Sequence, residues 1–146
     1  MMNESKVIEI LNEFGYDFEK ISDKLSETEG ILYTDSYNAF DPDRGVILDI
    51  ECRKRYYEDT LLERVKYLWN KDYAEANGFE FLYVVSMPDK EGHKLYIFEP
   101  GVMDDEKNYD FGWHTILDKE VVGYLHINDA LRVIQTGKEG NILVVH

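Results

Sequence analysis

The apolar and polar positions of the chain switch between helical and strand periods. Val7, Ile8, Leu11 and Phe14 recur at helical spacing over residues 4 to 14, and Gly15 suits the position just past a helix end. A second short helix is predicted over 17 to 27, with Phe18, Ile21 and Leu25 on one side. ILYTDSYN (31–38) reads as a strand, and NAFDPDRG (38–45) is dense with turn formers. In GVILDIECRKRY (45–56), Val46, Leu48, Ile50 and Cys52 make an alternating apolar face. Residues 46 to 54 are therefore predicted as a strand, paired antiparallel with the strand before the turn. Its other face starts with Ile47 and continues with Asp49, Glu51 and Arg53, which a period of two turns the same way. Charges in a row on a strand otherwise made for a core are either solvated or the floor of a site.

Thr60 and Glu63 have capping-box spacing, and Leu61, Leu62, Val65, Leu68, Trp69 and Tyr73 line one stripe, so a long helix is expected to start at Thr60 and stop at Asn77-Gly78. It should pack through Leu61, Val65, Leu68 and Trp69. FEFLYVVSM (79–87) follows as an apolar strand, and strand–helix–strand order implies a crossover with parallel pairing. KLYIFEP (94–100) is expected as the next, antiparallel strand. Asp104, Asp105, Glu106 and Asp110 suggest an exposed acidic loop within residues 101 to 127, which carry no clearer pattern. A helix over about 128 to 136, capped by Asn128 or Asp129 and closed by Gly137, precedes a last strand, NILVVH (141–146). The sum is an α/β or α+β domain: a mixed sheet with an N-terminal helix, a hairpin, a central crossover helix and a C-terminal helix and strand.

Composition narrows the class. A chain of 146 residues, 44% hydrophobic and 14% aromatic, is globular and long enough for one core, so residues 1–146 are read as one domain. Its single cysteine, Cys52, excludes a disulfide framework and a cysteine-rich zinc site. No apolar run approaches a membrane span, and MMNESKVIEI lacks signal-peptide order, so a cytoplasmic protein with no membrane contact is expected. The four histidines have no ligand-like spacing, and no serine sits in a nucleophile elbow.

Charge changes the picture most. The formal net charge is −14, which opposes unspecific attraction to nucleic acid. Residues 44 to 71 depart from it: Arg44, Arg53, Lys54, Arg55, Arg64, Lys66 and Lys71 face only five carboxylates there. This basic island surrounds the strand that carries Asp49 and Glu51.

The order of helix, two strands, helix and strand resembles the restriction-endonuclease-like fold of the PD-(D/E)XK nucleases, and the resemblance reaches particular residues. In that family the first hairpin strand supplies an acid, and the second supplies an acid-x-lysine triplet before the crossover helix. Asp35 in YTDSYN stands for the first acid, with Asp41 and Asp43 as substitutes, and Glu51-Cys52-Arg53 stands at the triplet. GVILDIE and DALRVIQTGKEGNILVV are also similar to short elements of small nuclease-like proteins.

The resemblance implies a magnesium- or manganese-dependent DNA endonuclease. Asp35, Glu51 and Arg53 would be its catalytic residues. Asp35, Glu51, Asp49 and the Cys52 backbone carbonyl would be its metal ligands, and Arg44, Lys54, Arg55 and Arg64 its phosphate contacts. A homodimer aligning two basic islands is also expected. Arg53 departs from the family: an arginine stays charged and can neutralise a phosphate, but it cannot act as a base. Two non-catalytic readings stand beside this one. A small, acidic, tyrosine-rich domain suits an inhibitor or immunity-type protein that binds a basic protein partner, and a nuclease fold can survive as an interaction module.

Overall fold

The computed structural model describes residues 2–21 and 37–146. Helix α1 (Glu4–Glu13) is opened by Asn3, whose side chain accepts from the Lys6 N–H at 2.8 Å, and it buries Val7, Ile8, Ile10 and Leu11. Three strands follow: β1 (Glu19–Lys20), β2 (Ala39–Asp41) and β3 (Val46–Cys52). Then come β4 (Asp59–Glu63), helix α2 (Arg64–Asn77), β5 (Glu80–Pro88) and β6 (Gly92–Phe98). Helix α3 (Pro100–Lys107), β7 (His114–Thr115), β8 (Val121–His126), β9 (Arg132–Gly137) and β10 (Ile142–Val145) complete the order.

Among the described residues, seven strands form one mixed sheet in the order β1-β2-β3-β5-β6-β9-β10, and three form a small one, β4-β8-β7. β3 lies parallel to β5, with Asp49 opposite Tyr83 and Glu51 opposite Val85; β5, β6, β9 and β10 then pair antiparallel in succession. The expected β3–β5 crossover and the β5–β6 hairpin are both present. One core fills the space between α1 and the sheet, around Val46, Leu48, Ile50, Leu82, Val84 and Ile134. A second lies on the opposite face under α2 and the small sheet, around Ile47, Tyr67, Tyr83, Val85 and Leu125. β3 is thus covered on both faces, as parallel strands are, and is buried from Val46 to Ile50.

Several expectations need correcting. Residues 59 to 63 are strand, not helix, because they pair with Val122–His126 of β8; the capping box of Thr60 and Glu63 does not form. Helix α2 starts at Arg64 and, with Leu61 and Leu62 committed to β4, buries Tyr67, Asn70 and Ala74 and leaves Val65 71% exposed. Gly78 closes α2 with φ +68°, the left-handed conformation that glycine adopts without strain. Residues 132 to 137 are β9 rather than a helix: RVIQTG is rich in β-branched side chains and has strand partners on both sides. Asp104, Asp105 and Glu106 ride on α3, not on a loop, with Pro100 at its first turn. Finally, Glu19–Lys20 is strand where a helix was expected, and the rest of that element and most of the 31–38 strand lie outside the described residues. The hairpin partner of β3 is Ala39–Asp41, within the segment read as a turn.

The small sheet is held tightly at Gly123. A Cβ there would stand 2.7 Å from the Trp113 ring and 2.8 Å from the Phe111 carbonyl oxygen. Gly123→Ala is therefore expected to lower stability by about 1–3 kcal/mol, read by denaturant melts with Trp113 fluorescence as a local probe.

Candidate active site

Parallel strands that end side by side leave a crevice beyond their carboxyl ends. At that end of β3, Asp49 and Glu51 point to the α2 side of the sheet. Asp49 is 1% exposed, and Glu51 is half-buried. Lys66, in the first turn of α2, reaches back between them: its Nζ lies 3.0 Å from Asp49 Oδ1 and 3.4 Å from Glu51 Oε1. Arg53 stands 3.8 Å from Glu51 Oε2 and donates to the Leu61 carbonyl at 3.1 Å and to the Tyr83 hydroxyl at 3.4 Å. Tyr83 donates to the same carbonyl at 3.0 Å, so β4 fixes both the guanidinium and the phenol. Glu51 also opens on a groove of about 560 Å³ that Asn3, Glu4, Lys20 and Cys52 help to line.

Burial dominates the electrostatics. It raises the Asp49 pKa from 3.8 to about 6, although Lys66 pulls the other way. Burial would discharge Lys66, but Asp49 and Glu51 outweigh it and hold the ammonium above its ordinary value. Glu63 is raised by burial and by Glu120. Burial, with Glu4 and Glu51 nearby, pushes the Cys52 thiol up to about 11, so it is no thiolate nucleophile at neutral pH. Because Asp49 binds its proton more tightly folded than unfolded, its contribution to stability is full below pH 3.8 and is lost as pH rises through about 6. Carboxyl NMR of the folded protein should show Asp49 titrating near 6, and Asp49→Asn should remove that step.

The other expected site residues scatter. Asp35 lies outside the described residues. Asp41 is fully buried and accepts from the backbone N–H groups of Asp17, Asp43 and Arg44 at 2.9, 3.0 and 3.1 Å, which makes it the fastener of the β2–β3 turn. Asp43 and Arg44 sit at that turn, about 20 Å along β3 from Glu51. Arg44 covers the Tyr16 ring at 5.3 Å. Arg64 lies 5.9 Å over Trp113, and Lys71 pairs with Asp105 at 2.7 Å. The basic island is thus broken up. Lys54 and Arg55, exposed just past β3, remain beside the site.

Three neighbours were not assigned to the site from the sequence. Lys66, read there only as part of the basic island, and Tyr83 are two. The third is Asn38, next to β2, which accepts from the Ile50 N–H and donates to Glu4 Oε1 at 3.3 Å. Among the described residues no group of three His, Cys, Asp or Glu side chains could hold a metal. A magnesium ion that keeps most of its waters needs only one or two carboxylates, and the strong pull of Asp49 and Glu51 on Lys66 shows that this pair attracts a cation.

An N-terminal helix on a mixed sheet, a hairpin and a crossover helix that brings a parallel strand beside it together define a restriction-endonuclease-like fold. Among solved structures, the chain is similar to Hjc, a Holliday junction resolvase from the archaeal hyperthermophile Archaeoglobus fulgidus, with a TM-score of 0.51 and 12% sequence identity over 85% of this chain and 96% of that one. No family model and no curated protein matches the chain. At 12% identity the likeness establishes the fold and leaves the chemistry to the site. Among the described residues no helix is long and apolar enough to cross a membrane.

Proposed function

We propose that the chain is a divergent PD-(D/E)XK nuclease that hydrolyses phosphodiester bonds of DNA with magnesium or manganese. The observation that carries this reading is Lys66 bridging Asp49 and Glu51 at the carboxyl end of β3. It sets two carboxylates and an amine on one face, although the strand itself offers Arg53 where the family has lysine. Glu51 and Asp49, with the Cys52 carbonyl and Asp35, would hold the metal. When bound, the metal polarises the phosphate and lowers the pKa of a water. Lys66, held as an ammonium by Asp49 and Glu51, can donate a hydrogen bond that orients the attacking water or steadies the charge on the leaving oxygen. Arg53, always charged and held by Leu61 and Tyr83, neutralises the phosphate. Lys54 and Arg55, exposed just past β3, are available to phosphates, and the acidic remainder confines DNA to this edge. The reading includes one domain and a cytoplasmic location.

The test is calorimetric titration of magnesium or manganese, with cleavage of duplex and branched DNA in the presence and absence of EDTA. Metal-dependent cutting that EDTA stops is expected. Arg53→Lys should retain activity, because the amine it adds duplicates Lys66. Absence of both metal binding and cleavage at millimolar metal would reject the enzyme.

The same Lys66 bridge favours a second reading, since the protein's own ammonium already pairs with both carboxylates. The site would then be structural, and α3, with Asp104, Asp105 and Glu106, would present an acidic surface to a basic protein partner. Association with such a partner should slow steeply as salt rises, and Asp105→Asn with Glu106→Gln should reduce the on-rate more than the off-rate.

A further inference from the structure

Among the described residues, the two edges of the seven-stranded sheet are built differently. One edge is β1, two residues long and charged, Glu19 and Lys20. The other is β10, Ile142–Val145, an apolar segment with no charge and no proline. Short charged strands block edge-to-edge pairing, whereas an exposed apolar edge invites it. Leu143, Val144 and Val145 are 46%, 45% and 40% exposed, and Leu131, just before β9, is 64% exposed.

Pairing with β9 fixes which backbone groups face outward. Val133 and His146 exchange both N–H···O bonds, at 3.0 and 2.7 Å. In an antiparallel ladder the neighbour of such a residue turns its N–H and C=O the other way, so those of Val145 point away from β9.

We propose that β10 pairs antiparallel with β10 of a second copy of this chain across a two-fold axis, joining the two sheets. Charge selects this occupant. Residues 130–146 hold two cations, Arg132 and Lys138, and one carboxylate, Glu139, while the whole chain carries −14. Two copies repel one another over most of their surface but not at this edge. An isologous pair also sets apolar, mostly β-branched residues opposite apolar ones, which is the favourable cross-strand arrangement. A strand from a basic protein would find its complement on the acidic faces instead.

The pairing fixes where two candidate sites would lie. Between β3 and its symmetry mate there are nine strand spacings, about 43 Å at 4.8 Å each. A two-fold axis normal to the sheet keeps both sites on one face and puts them at opposite strand ends. The dimer therefore does not merge two basic islands into one site, as the sequence suggested; each subunit works alone.

The experiment is sedimentation of the full chain over a micromolar concentration series, with Val144→Lys and Val145→Lys as variants and hydrogen exchange on the wild type. The wild type should sediment as a dimer. Each lysine variant should weaken self-association roughly tenfold or more. In the wild type, the Val145 amide should exchange slowly at dimeric concentrations and rapidly on dilution, a readout that needs no variant to fold. A monomer throughout, a dimer unaffected by both lysines, or a dimer whose Val145 amide exchanges as in the monomer would each overturn the proposal. Cleavage per subunit, where found, should be the same in Val145→Lys, so failure here leaves the nuclease reading intact.

Discussion

Lys66→Met should destabilise the protein by about 3 kcal/mol at pH 8, and by less than about 1 kcal/mol near pH 5. Methionine keeps the apolar stem that lysine lays against the core and removes only the ammonium. At pH 8 the wild type holds Asp49 charged, 1% exposed and 3.0 Å from Lys66 Nζ. Without that partner, Asp49 must either stay charged and unpaired or take a proton from a solution that holds few. Near pH 5 the wild-type carboxyl is already mostly protonated, because its pKa is about 6, so little is lost. The sign follows from linkage. The folded state binds the extra proton between the ordinary pKa and the raised one, so stability falls as pH rises through that window. Removing Lys66 raises the upper limit of the window and extends the fall past pH 6. In thermal melts at pH 8 the variant should lose roughly 10 °C. Adding Asp49→Asn should return most of that loss, since the buried charge goes with its partner. Equal losses at pH 5 and pH 8, or no rescue by the second substitution, would mean that the pair is not what holds this part of the fold.

This pair also marks the limit of what the sequence alone can tell. Strands β3, β5 and β6 were legible because long alternating or continuous apolar runs fit only one period, and Gly78 fixed the end of α2. The start of α2 was not. Leu61 and Leu62 serve a helix face or a strand face equally well, and the partner that makes 59–63 a strand is β8, sixty residues further on. A helical stripe built on Leu61 and Leu62 takes in Val65 and Trp69; with those leucines in β4, the buried face is centred on Tyr67, Asn70 and Ala74, and Lys66 at its edge reaches Asp49. A shift of four residues thus decided whether a lysine was part of a surface island or of the site. β9 was missed for a similar reason, since Val133 and Ile134 need both β6 and β10 to show as strand. Asp49 and Glu51 were found from their shared face, but the burial of Asp49 depends on the covering α2, which no local pattern reports.

Glu51→Gln should lower metal-dependent cleavage by roughly a thousandfold while leaving the fold stable to within about 1 kcal/mol. Its side chain is 31% exposed, with Lys66 at 3.4 Å and Arg53 at 3.8 Å as ionic partners. Partly exposed pairs of that kind contribute little to stability, and glutamine keeps the volume and one acceptor oxygen. What it removes is a negative charge facing the groove, and a hard cation needs that charge more than the fold does. Asp49→Asn bears on cleavage differently. The buried Asp49 is matched to Lys66, so its loss frees the ammonium to move and should lower the rate less than Glu51→Gln, with a change in the pH profile. Magnesium affinity measured by calorimetry should follow the same order, weakened most by Glu51→Gln. If Glu51→Gln binds metal and cuts DNA like the wild type, Glu51 is no ligand. If it unfolds instead, the Glu51–Lys66 contact belongs to the scaffold, and the non-catalytic reading of this strand gains the ground that the nuclease loses.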